Sequence, residues 1–395
     1  MELKSGYKQT EVGMIPEDWD ALELEAVCTM KSGEGITASS IDDFSEYPCY
    51  GGNGLRGYTK RFTHDGRFAL IGRQGALCGN VVSAQSKFFA SEHAVVVTPR
   101  ASYDIDYLTY VLGEMHLNRY SESSAQPGLS VSKLLKLPLA APRSEAEQRS
   151  IALALSNMDA LLGELGNLIA KRRGIKQAAM QELLTGKRRL PGFEGEWGVK
   201  TLRQVAMIRS GITKNSGTKI QNPVKVNYLR VANVQDGFFD LSEISKIEIP
   251  RHEVAKYSVL AGDVLMNEGG DLDKLGRGAV WQGLGEPCVH QNHVFVVRPD
   301  PSLSSSYLNS WITSSIARDY FLIAGKQTTN LASISKSSLG ELPIHLPSLE
   351  EQEAITDILD TMDSEIRRLE ERHTKTIALK QGMMQQLLTG KIRLQ

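Results

Sequence analysis

Apolar residues recur along two stretches of this chain with alternating spacings of four and three. This spacing places them on one face of a helix and is typical of the seam of a coiled coil. We therefore predict two long helices whose apolar faces bury each other. The predicted seam consists of Ile151, Leu155, Met158, Leu162, Leu165, Ile169 and Leu183 in the first helix, and of Ile355, Leu359, Met362, Ile366, Leu369, Met383 and Leu387 in the second.

The two predicted helices belong to a longer internal repeat. Leu-Leu-Thr-Gly-Lys occurs at 183–187 and again at 387–391, an offset of 204 residues (391 − 187). Glu-Gln at 147–148 recurs at the same offset, and Trp19 near the start of the first copy corresponds to Trp197 in the second. Self-similarity over such a length indicates two copies of one unit. We predict a pseudo-twofold architecture.

Each predicted helix has a start signal and a stop signal. Pro142 and Pro347 precede the helices, and Gly186 and Gly390 follow them, as expected for helix ends. The first helix also contains internal glycines, which weaken the helical pattern. These glycines are Gly163, Gly166 and Gly174.

Charge favours an antiparallel pairing of the two helices. Residues 171–189 at the end of the first helix are basic, whereas residues 350–365 at the start of the second are acidic. Antiparallel pairing brings these segments together, while parallel pairing would place the acidic start against Glu145 and Glu147. The alternative is that both segments are solvated charge runs with no role in pairing.

The regions that precede the helices have a mixed pattern with more strand than helix. Short runs rich in β-branched and aromatic residues are bounded by glycine, proline or asparagine, which is typical of strands. Ser304–Ile323 is predicted to supply a helix. The fold class is therefore α+β, with two α/β domains that are each followed by a long helix. The predicted strands are Phe68–Ile71, Ala94–Thr98, Tyr228–Val231, Val264–Met266 and Val294–Val297.

Composition narrows the function classes only in part. With 395 residues and 41% apolar residues, the chain is long enough for two domains with cores. It has neither a leader-like start nor an apolar run of about 18 residues, so we expect a cytoplasmic protein. The four cysteines lack a CxxC pair, which favours neither disulfides nor a structural zinc site. The formal net charge of −1 does not indicate nucleic acid, although local basic loops can still bind it.

Together these features resemble the specificity subunits of type I restriction-modification systems, over nearly the whole chain. Each of the motifs concerned is weak alone, but at repeat spacing they are specific in combination. They are the approaches to the helices at 137–142 and 342–347 with their Glu-Gln pairs, Tyr-Gly-Gly-Asn-Gly-Leu-Arg-Gly-Tyr at 50–58, Gly-Asp-Val-Leu at 262–265, and both Leu-Leu-Thr-Gly-Lys ends.

The resemblance implies two target-recognition domains at opposite ends of an antiparallel helical pair, each reading one half of a split, asymmetric DNA sequence. It also implies that the helices set the spacer and bind two adenine-N6 methyltransferase subunits. Restriction-translocation subunits would join to give an ATP-dependent nuclease. S-adenosylmethionine, ATP and Mg²⁺ would be bound by these partners and not by this chain. The corresponding division is 1–143 for the first target-recognition domain, 144–188 for the first spacer helix, 189–346 for the second domain and 347–395 for the second helix.

Two local motifs allow other interpretations. Residues 52–57 match Gly-x-Gly-x-x-Gly, but no clear strand precedes them and no amphipathic helix follows, so a tight loop is favoured over a cofactor site. His290 and His293 are three residues apart but have no acidic third ligand nearby, so we predict no metal site. Side chains of the glycine loop either contact phosphates and stack on bases or belong to a plain turn. They are Arg56, Tyr58, Lys60 and Arg61.

Reading bases in the major groove needs arginine or lysine toward guanine and asparagine or glutamine toward adenine. Each candidate could instead be a solvated surface side chain. Candidates in predicted loops or strand ends are Arg73, Gln74 and His93 in the first domain, and Arg230, Asn233, Asn267, Gln291 and Asn292 in the second. Candidates for phosphate contact are Lys214, Lys219, Lys225, Lys326 and Gln327.

The chain has no pattern that predicts catalysis. It lacks the Asn-Pro-Pro-Tyr or Asp-Pro-Pro-Tyr tetrad of the family's methyltransferase partner, and no nucleophile and base are recognisable as a pair. We therefore expect a non-catalytic subunit. Two alternatives remain at this point: a split-site DNA-binding protein that acts without enzyme partners, and a coiled-coil tether with two domains for protein or glycan ligands. DNA retention that shows no sequence preference and disappears at modest salt would support the tether.

Overall fold

The computed structural model describes residues 5–121, 127–213, 220, 222–270, 275–327 and 332–394. The chain divides into two compact units. The first unit comprises Met1–Gly166 with Glu371–Gln395, and the second comprises Asn167–Glu370. Each unit therefore contains one mixed domain, the start of one long helix and the end of the other.

The first unit is built mainly from short strands, with two long helices at its border. Its helices are α1 (Leu24–Val27), α2 (Ile105–Glu114), α3 (Val131–Leu134), the start of α4 (Glu145–Leu183) and the end of α10 (Leu349–Leu387). Its strands are β1 (Tyr7–Thr10), β2 (Gly13–Pro16), β3 (Trp19–Glu23), β4 (Cys28–Ser32), β5 (Tyr47–Gly51), β6 (Gly54–Thr59), β7 (His64–Asp65), β8 (Phe68–Gly72), β9 (Val81–Ala84), β10 (Lys87–Ala90), β11 (Ala94–Pro99) and β12 (Pro138–Pro142).

An antiparallel sheet in the order β4-β11-β8-β9 forms the centre of the first unit. Its strand β11 is buried over Ala94–Val97, because alternate side chains enter two different apolar clusters on the two faces of the sheet. A second sheet has the order β6-β5-β10-β7, with β5 and β10 parallel. Strand β12 pairs with β3, which joins the residues just before α4 to the start of the domain.

The long helices complete the core of the first unit. A single apolar cluster contains Trp19 of the domain, Ile151 and Leu155 from the start of α4, and Leu387 from the end of α10. These side chains are at most 4% exposed. The mixed domain and the helix ends therefore share one core within this unit, and unfolding one exposes the apolar surface of the other.

The second unit repeats this order of elements, with insertions. Its helices are the end of α4, α5 (Leu202–Val205), α6 (Val254–Tyr257), α7 (Ser305–Thr313), α8 (Ser315–Ala324), α9 (Lys336–Gly340) and the start of α10. Its strands are β13 (Gly198–Thr201), β14 (Ala206–Ser210), β15 (Pro223–Leu229), β16 (Ser245–Pro250), β17 (Val264–Asn267), β18 (Gly269–Gly270), β19 (Gly278–Val280), β20 (Cys288–His290), β21 (Val294–Pro299), β22 (Lys326–Gln327), β23 (Ala332–Ser333) and β24 (Pro343–Leu346).

The sheets of the second unit have the topology of those in the first. Its central antiparallel sheet has the order β14-β21-β17-β19, and a parallel pair of β15 and β20 stands where β5 and β10 stand in the first unit. Even the register agrees, because Phe295 lies opposite Ser210 as Val95 lies opposite Ser32. The two mixed domains therefore have the same core topology although few of their side chains match.

The predicted seam residues lie in the interior of the units, and none of them is exposed. In the second unit the core joins Leu183 of α4 to Ile355 and Leu359 of α10. The fully buried members are Ile151, Leu155, Leu165, Ile169, Leu183, Ile355, Leu359, Ile366 and Leu387, and the half-buried ones are Met158, Leu162, Met362, Leu369 and Met383.

Ion pairs between α4 and α10 confirm the antiparallel prediction within each unit. In the second unit Lys176 Nζ of α4 lies 2.5 Å from Asp363 Oδ1 of α10. In the first unit Lys380 Nζ of α10 lies 2.5 Å from Asp159 Oδ1 of α4. The two pairs are related by the repeat offset of 204 residues (380 − 176). Exposed ion pairs contribute at most about 1 kcal/mol. These two therefore add little stability, but they show that the end of each long helix lies beside the start of the other.

Two details of the predicted elements were wrong. The helix predicted over Ser304–Ile323 is two helices, because Ser314 has extended backbone (φ −70°, ψ 156°) and its side chain accepts a hydrogen bond from Ala317 N. The strand predicted over Tyr228–Val231 ends at Leu229, since Val231–Asn233 form a 3₁₀ turn.

The first long helix runs without interruption through its internal glycines. It spans Glu145–Leu183, and a Cβ atom added at Gly163, Gly166 or Gly174 would meet no neighbour within 4 Å.

Within the part of the chain that the structure describes, no helix combines the length and apolar character needed to cross a bilayer.

Candidate nucleic-acid interface

Both units gather polar loops at the same edge of the central sheet. At this edge β4 and β14 end, β11 and β21 begin, and loops from separate strands meet. We call it the loop edge. It consists of residues 32–36, 51–56, 73–80, 91–93 and 127–130 in the first unit, and of residues 210–213, 229–233, 267–270, 291–293 and 332–335 in the second.

A glycine at each loop edge allows two backbone segments to approach closely. A Cβ atom added at Gly33 would lie 2.2 Å from the carbonyl oxygen of Ala90, and one added at Gly211 would lie 2.1 Å from that of His290. No other residue type fits at such distances. This contact explains why the Ser-Gly pair at 32–33 recurs at 210–211 between otherwise divergent domains.

The same backbone hydrogen bonds hold the loops together in both units. In the first unit Arg73 N donates to His93 O at 2.8 Å, and Leu129 N donates to Arg73 O at 2.9 Å. In the second unit Glu268 N donates to His293 O at 2.9 Å, and Ile334 N donates to Glu268 O at 2.8 Å. Because these bonds use only main-chain atoms, the side chains of the loops can differ while the frame stays the same.

Replacing Gly211 by alanine should destabilise the second unit by about 2 kcal/mol, because the new methyl group would overlap the backbone of β20. Thermal unfolding of the full chain measures the effect. The matched control is Gly174→Ala in the same unit, where nothing lies within 4 Å and a helix-favouring residue should stabilise by up to about 1 kcal/mol. Equal unfolding temperatures for the two variants would contradict the close contact.

The glycine loop of the first unit is a hairpin turn between β5 and β6. Arg56 is exposed, and its side chain lies over Gly51, where an added Cβ atom would be 2.2 Å from Arg56 Cδ. Tyr58 is half-buried and Lys60 is exposed. Arg61 lies 4.7 Å from the ring centroid of Phe89, with its guanidinium still at the surface. This segment presents three cations from one hairpin and its flank.

Three further candidates of the first unit meet at the loop edge. Arg73 Nη1 donates to Ser32 Oγ at 3.2 Å, which holds this guanidinium beside the end of β4. Gln74 is exposed, and His93 is half-buried. The structure therefore brings together Arg73, Gln74 and His93, which are separated by up to 20 residues in the sequence (93 − 73).

In the second unit Gln291 and Asn292 lie at the loop edge. Gln291 Oε1 accepts a hydrogen bond from Val231 N at 3.4 Å, and Asn292 Nδ2 lies 3.3 Å from His293 Nε2. Arg230 pairs with the exposed Glu243 at 3.3 Å. These three side chains remain partly accessible to a ligand.

Two predicted base readers of the second unit are buried, and the structure corrects their assignment. Asn233 is 3% exposed, and its amide donates to the carbonyl oxygens of Asp240 and Glu243 at 2.9 Å each. Asn267 is 4% exposed and donates to Val234 O at 2.9 Å. Both amides hold residues 234–243, which follow β15, so neither amide is available to a base.

The lysine candidates are dispersed. Lys225 is exposed on β15 opposite Glu248, and Lys326 is exposed at the start of β22. Lys214 and Lys219 lie outside the described residues, as does the side chain of Gln327.

The histidines of the 290–293 segment have different environments. His290 is 2% exposed, its Nδ1 lies 2.6 Å from Val294 O, and burial lowers its pKa to about 4. His293 is at the surface, where its Nδ1 lies 2.8 Å from Glu268 Oε2. The base readers predicted from the sequence include His93 but not His293, although both residues stand directly before the last strand of the central sheet.

A buried glutamate at the start of α10 is bound by an arginine and a tryptophan, an arrangement that we call the clasp. Arg189 Nε and Nη2 bind the Glu351 carboxylate at 2.6 and 2.8 Å, and Trp197 Nε1 donates to it at 3.0 Å. The Glu351 side chain is 2% exposed. Because Arg189 follows α4 and Trp197 begins the mixed domain, this clasp joins three parts of the second unit.

The first unit contains the same clasp. Arg393 Nε binds Glu147 Oε1 at 2.5 Å, and Trp19 Nε1 donates to Glu147 Oε2 at 3.3 Å. Hydrogen bonding to Arg393 also holds the pKa of the Asp18 carboxyl below its ordinary value. The arginines are related by the repeat offset of 204 residues (393 − 189), which marks both as repeated positions but does not identify their partners.

A buried glutamine next to each clasped glutamate binds the mixed domain to the helix. Gln352 is 0% exposed; its Oε1 accepts from Ser304 N at 2.8 Å and its Nε2 donates to Ser302 O at 2.9 Å. Gln148 makes the equivalent bonds to Asp104 N at 2.8 Å and Ser102 O at 3.2 Å. The clasps and glutamines therefore orient each loop edge relative to the helix ends of its own unit.

Comparison with protein families matches both halves of the chain to one domain. The model described as "Type I restriction modification DNA specificity domain" matches residues 16–171 and 194–379. The specificity subunit of the type I restriction enzyme EcoprrI from Escherichia coli is 46% identical over 146 residues, which is 36% of each chain. That of MjaVIII from Methanocaldococcus jannaschii is 25% identical over 432 aligned positions, covering 99% of this chain and 96% of the relative.

Solved structures with the same fold cover nearly the whole chain. The S subunit of a type I restriction-modification system from M. genitalium has a TM-score of 0.63 at 15% identity, with 98% of each chain covered. A chain from a structure of type I restriction-modification complex assembly has a TM-score of 0.58 at 17% identity, covering 96% of this chain and 99% of that one. These likenesses confirm the predicted fold class, with two mixed domains and two long helices.

Proposed function

The chain belongs to the family of type I restriction modification DNA specificity domains, and from this premise we propose that it selects the bipartite DNA sequence on which partner enzymes act. Each loop edge reads one half of an asymmetric target in the major groove. The two halves differ because the two edges carry different side chains.

The observation that carries this proposal is the duplication of the loop edge. Both units have the same strand register, the same glycine contact and the same main-chain hydrogen bonds. The side chains on this frame differ, with Arg73 in one unit at the position of Glu268 in the other. Two domains that bind DNA in the same way but recognise different sequences need the same main-chain arrangement with different polar side chains.

The long helices serve in this proposal as the spacer and as the docking surface for two methyltransferase subunits. Both helices carry apolar side chains that point away from the seam. On α4, Leu153 is 61% and Ile175 is 43% exposed; on α10, Ile377 is 46% and Leu379 is 58% exposed. Exposed apolar side chains along a helix support a protein partner.

The chemistry belongs to the partners in this proposal. Methyltransferase subunits bind S-adenosylmethionine and modify adenine N6, and restriction-translocation subunits bind ATP and Mg²⁺ and cut DNA. This chain is then a non-catalytic, cytoplasmic subunit. Its formal net charge of −1 fits a protein that shares phosphate contacts with its partners rather than supplying them all.

The test is long-read mapping of N6-methyladenine in a methylation-free host. The chain is expressed with its neighbouring methyltransferase, and the methyltransferase alone is the control. We expect a split, asymmetric methylated motif only when the chain is present. No added methylation, with both proteins soluble and associated, would contradict the proposal.

A third arm of the same experiment tests whether each unit reads its own half of the target. Residues 20–140 are exchanged for the corresponding segment of a relative with a different target. One half of the methylated motif should change while the other half and the spacer stay the same, because the second unit and its loop edge are untouched. A change in both halves would show that the units do not read independently.

A further inference from the structure

A histidine paired with a carboxylate lies at the loop edge of each unit. His93 Nε2 lies 3.2 Å from Glu92 Oε1, and His293 Nδ1 lies 2.8 Å from Glu268 Oε2. The imidazoles are 40% and 58% exposed, and the carboxylates are 40% and 30% exposed. Both pairs are therefore open to a ligand.

The two pairs reach the same arrangement by different routes. Glu92 precedes its histidine in the sequence, whereas Glu268 directly follows β17 and lies 25 residues before His293. The ring nitrogen that meets the carboxylate also differs, being Nε2 in one unit and Nδ1 in the other. A histidine–carboxylate pair is thus present at this position in both units although neither the carboxylate nor its geometry is shared.

Main-chain bonds hold each histidine in place independently of its side chain. The carbonyl oxygens of His93 and His293 accept hydrogen bonds from Arg73 N and Glu268 N at 2.8 and 2.9 Å. The polar contacts of the imidazoles are with Glu92 in the first unit, and with Glu268 and Asn292 in the second. The side chains are therefore not needed to build the loop edge.

The chemistry of the pair favours hydrogen-bond donors on the ligand. A neutral imidazole that donates one N–H to a carboxylate presents its other nitrogen as an acceptor, and the carboxylate retains free acceptor sites. In the second unit an Nδ1–H tautomer donates to Glu268 and leaves Nε2 to accept from Asn292 Nδ2, so the acceptor offered to a ligand there is the Glu268 carboxylate. The acceptor oxygens of the carboxylate suit the exocyclic amino groups of adenine and cytosine in the major groove rather than phosphate.

We propose that the His93–Glu92 and His293–Glu268 pairs are base readers, each of which accepts a hydrogen bond from an adenine or cytosine amino group in its own half of the target. This inference rests on the proposed function and names residues that determine its specificity. The sequence predicted His93 as a base reader but neither histidine–carboxylate pair. Glu268 and His293 are 25 residues apart and meet only in the folded protein.

The test uses the complex of the full chain with its methyltransferase and duplexes that carry the mapped target. One amino group at a time is removed by replacing adenine with purine or cytosine with 2-pyrimidinone. In each half, one such replacement should weaken binding to the unmodified protein about 10-fold. With His293→Ala or Glu268→Gln, that replacement in the second half should have no further effect, while the first half remains sensitive. His93→Ala should give the converse result.

His252→Ala is the matched control, because His252 is an exposed histidine of the second unit outside the loop edge. Its complex should show the unmodified protein's dependence on every amino group, and thermal unfolding should be the same for all four variants. If the unmodified chain directs a split motif but the pair variants keep their full amino-group dependence, the inference is overturned and the proposed function stands. If the unmodified chain directs no motif, the proposed function itself fails.

Discussion

Replacing Arg189 by methionine should lower the free energy of unfolding of the second unit by about 3 to 5 kcal/mol. The substitution leaves the Glu351 carboxylate, which is 2% exposed, without the two charge-assisted bonds at 2.6 and 2.8 Å. Among the described residues, the Trp197 N–H at 3.0 Å is the hydrogen-bond donor that remains for this carboxylate. A buried charge that loses its partner must either stay unpaired or take up a proton, and both cost free energy.

The measurement is denaturant unfolding of the full chain, with hydrogen exchange to assign the loss to the second unit. Arg188→Met is the matched control, because this neighbouring side chain is 77% exposed and lies 3.9 Å from Glu182. It should change stability by less than about 1 kcal/mol. Equal losses for the two variants would show that the clasp contributes nothing beyond a surface ion pair.

A double variant separates the clasp from the side-chain volume. Combining Arg189→Met with Glu351→Met removes both charges, and the double variant should recover much of the stability that the single variant loses. The coupling between the two sites should be large because the residues share one hydrogen-bonded group. Additive losses would contradict a direct interaction in the folded protein.

Replacing Gln352 by methionine should destabilise the second unit by about 3 kcal/mol, because three main-chain groups, one buried and two partly buried, lose their partners. Ser304 N donates to the glutamine oxygen at 2.8 Å, and the amide donates to Ser302 O and Pro347 O at 2.9 and 3.1 Å. Methionine has a similar volume, so the loss reports these hydrogen bonds rather than a cavity.

The same unfolding measurements test this prediction. Gln181→Met is the control, since Gln181 is exposed on α4 in the same unit; it should leave stability within about 0.5 kcal/mol. Hydrogen exchange should locate the loss at the contact between α10 and the 302–304 segment. A stability equal to that of the control would mean that water replaces the glutamine at no cost.

The long helices were predictable because their signal is local. Ile151 and Leu155 are one helical turn apart, and a helix of any tertiary context places such residues on one face. Their repetition at Ile355 and Leu359 made the duplication visible as well. The antiparallel direction followed from charge, since long segments of opposite sign occur at opposite helix ends.

The candidate site was predictable only in outline. Asn233 and Asn267 have the residue type that reads adenine, but burial gives both amides to the main chain. His293 has the same residue type as His93 but was not among the predicted base readers, because its partner Glu268 lies in a different loop, 25 residues away. Residue type states what a side chain can bind, whereas its surroundings decide whether a ligand can reach it.

Residue order alone was sufficient to predict two repeats, two long helices and the resemblance to a DNA specificity subunit, and it favoured their antiparallel pairing. Periodicity, repetition and charge runs are patterns of neighbouring residues. Folding in three dimensions was needed to bring Arg189 to Glu351 across 162 residues and His293 to Glu268 across 25. It also buried Asn233 and Asn267 and left the imidazoles exposed. These outcomes depend on the packing of distant segments, and no local pattern in the chain encodes them.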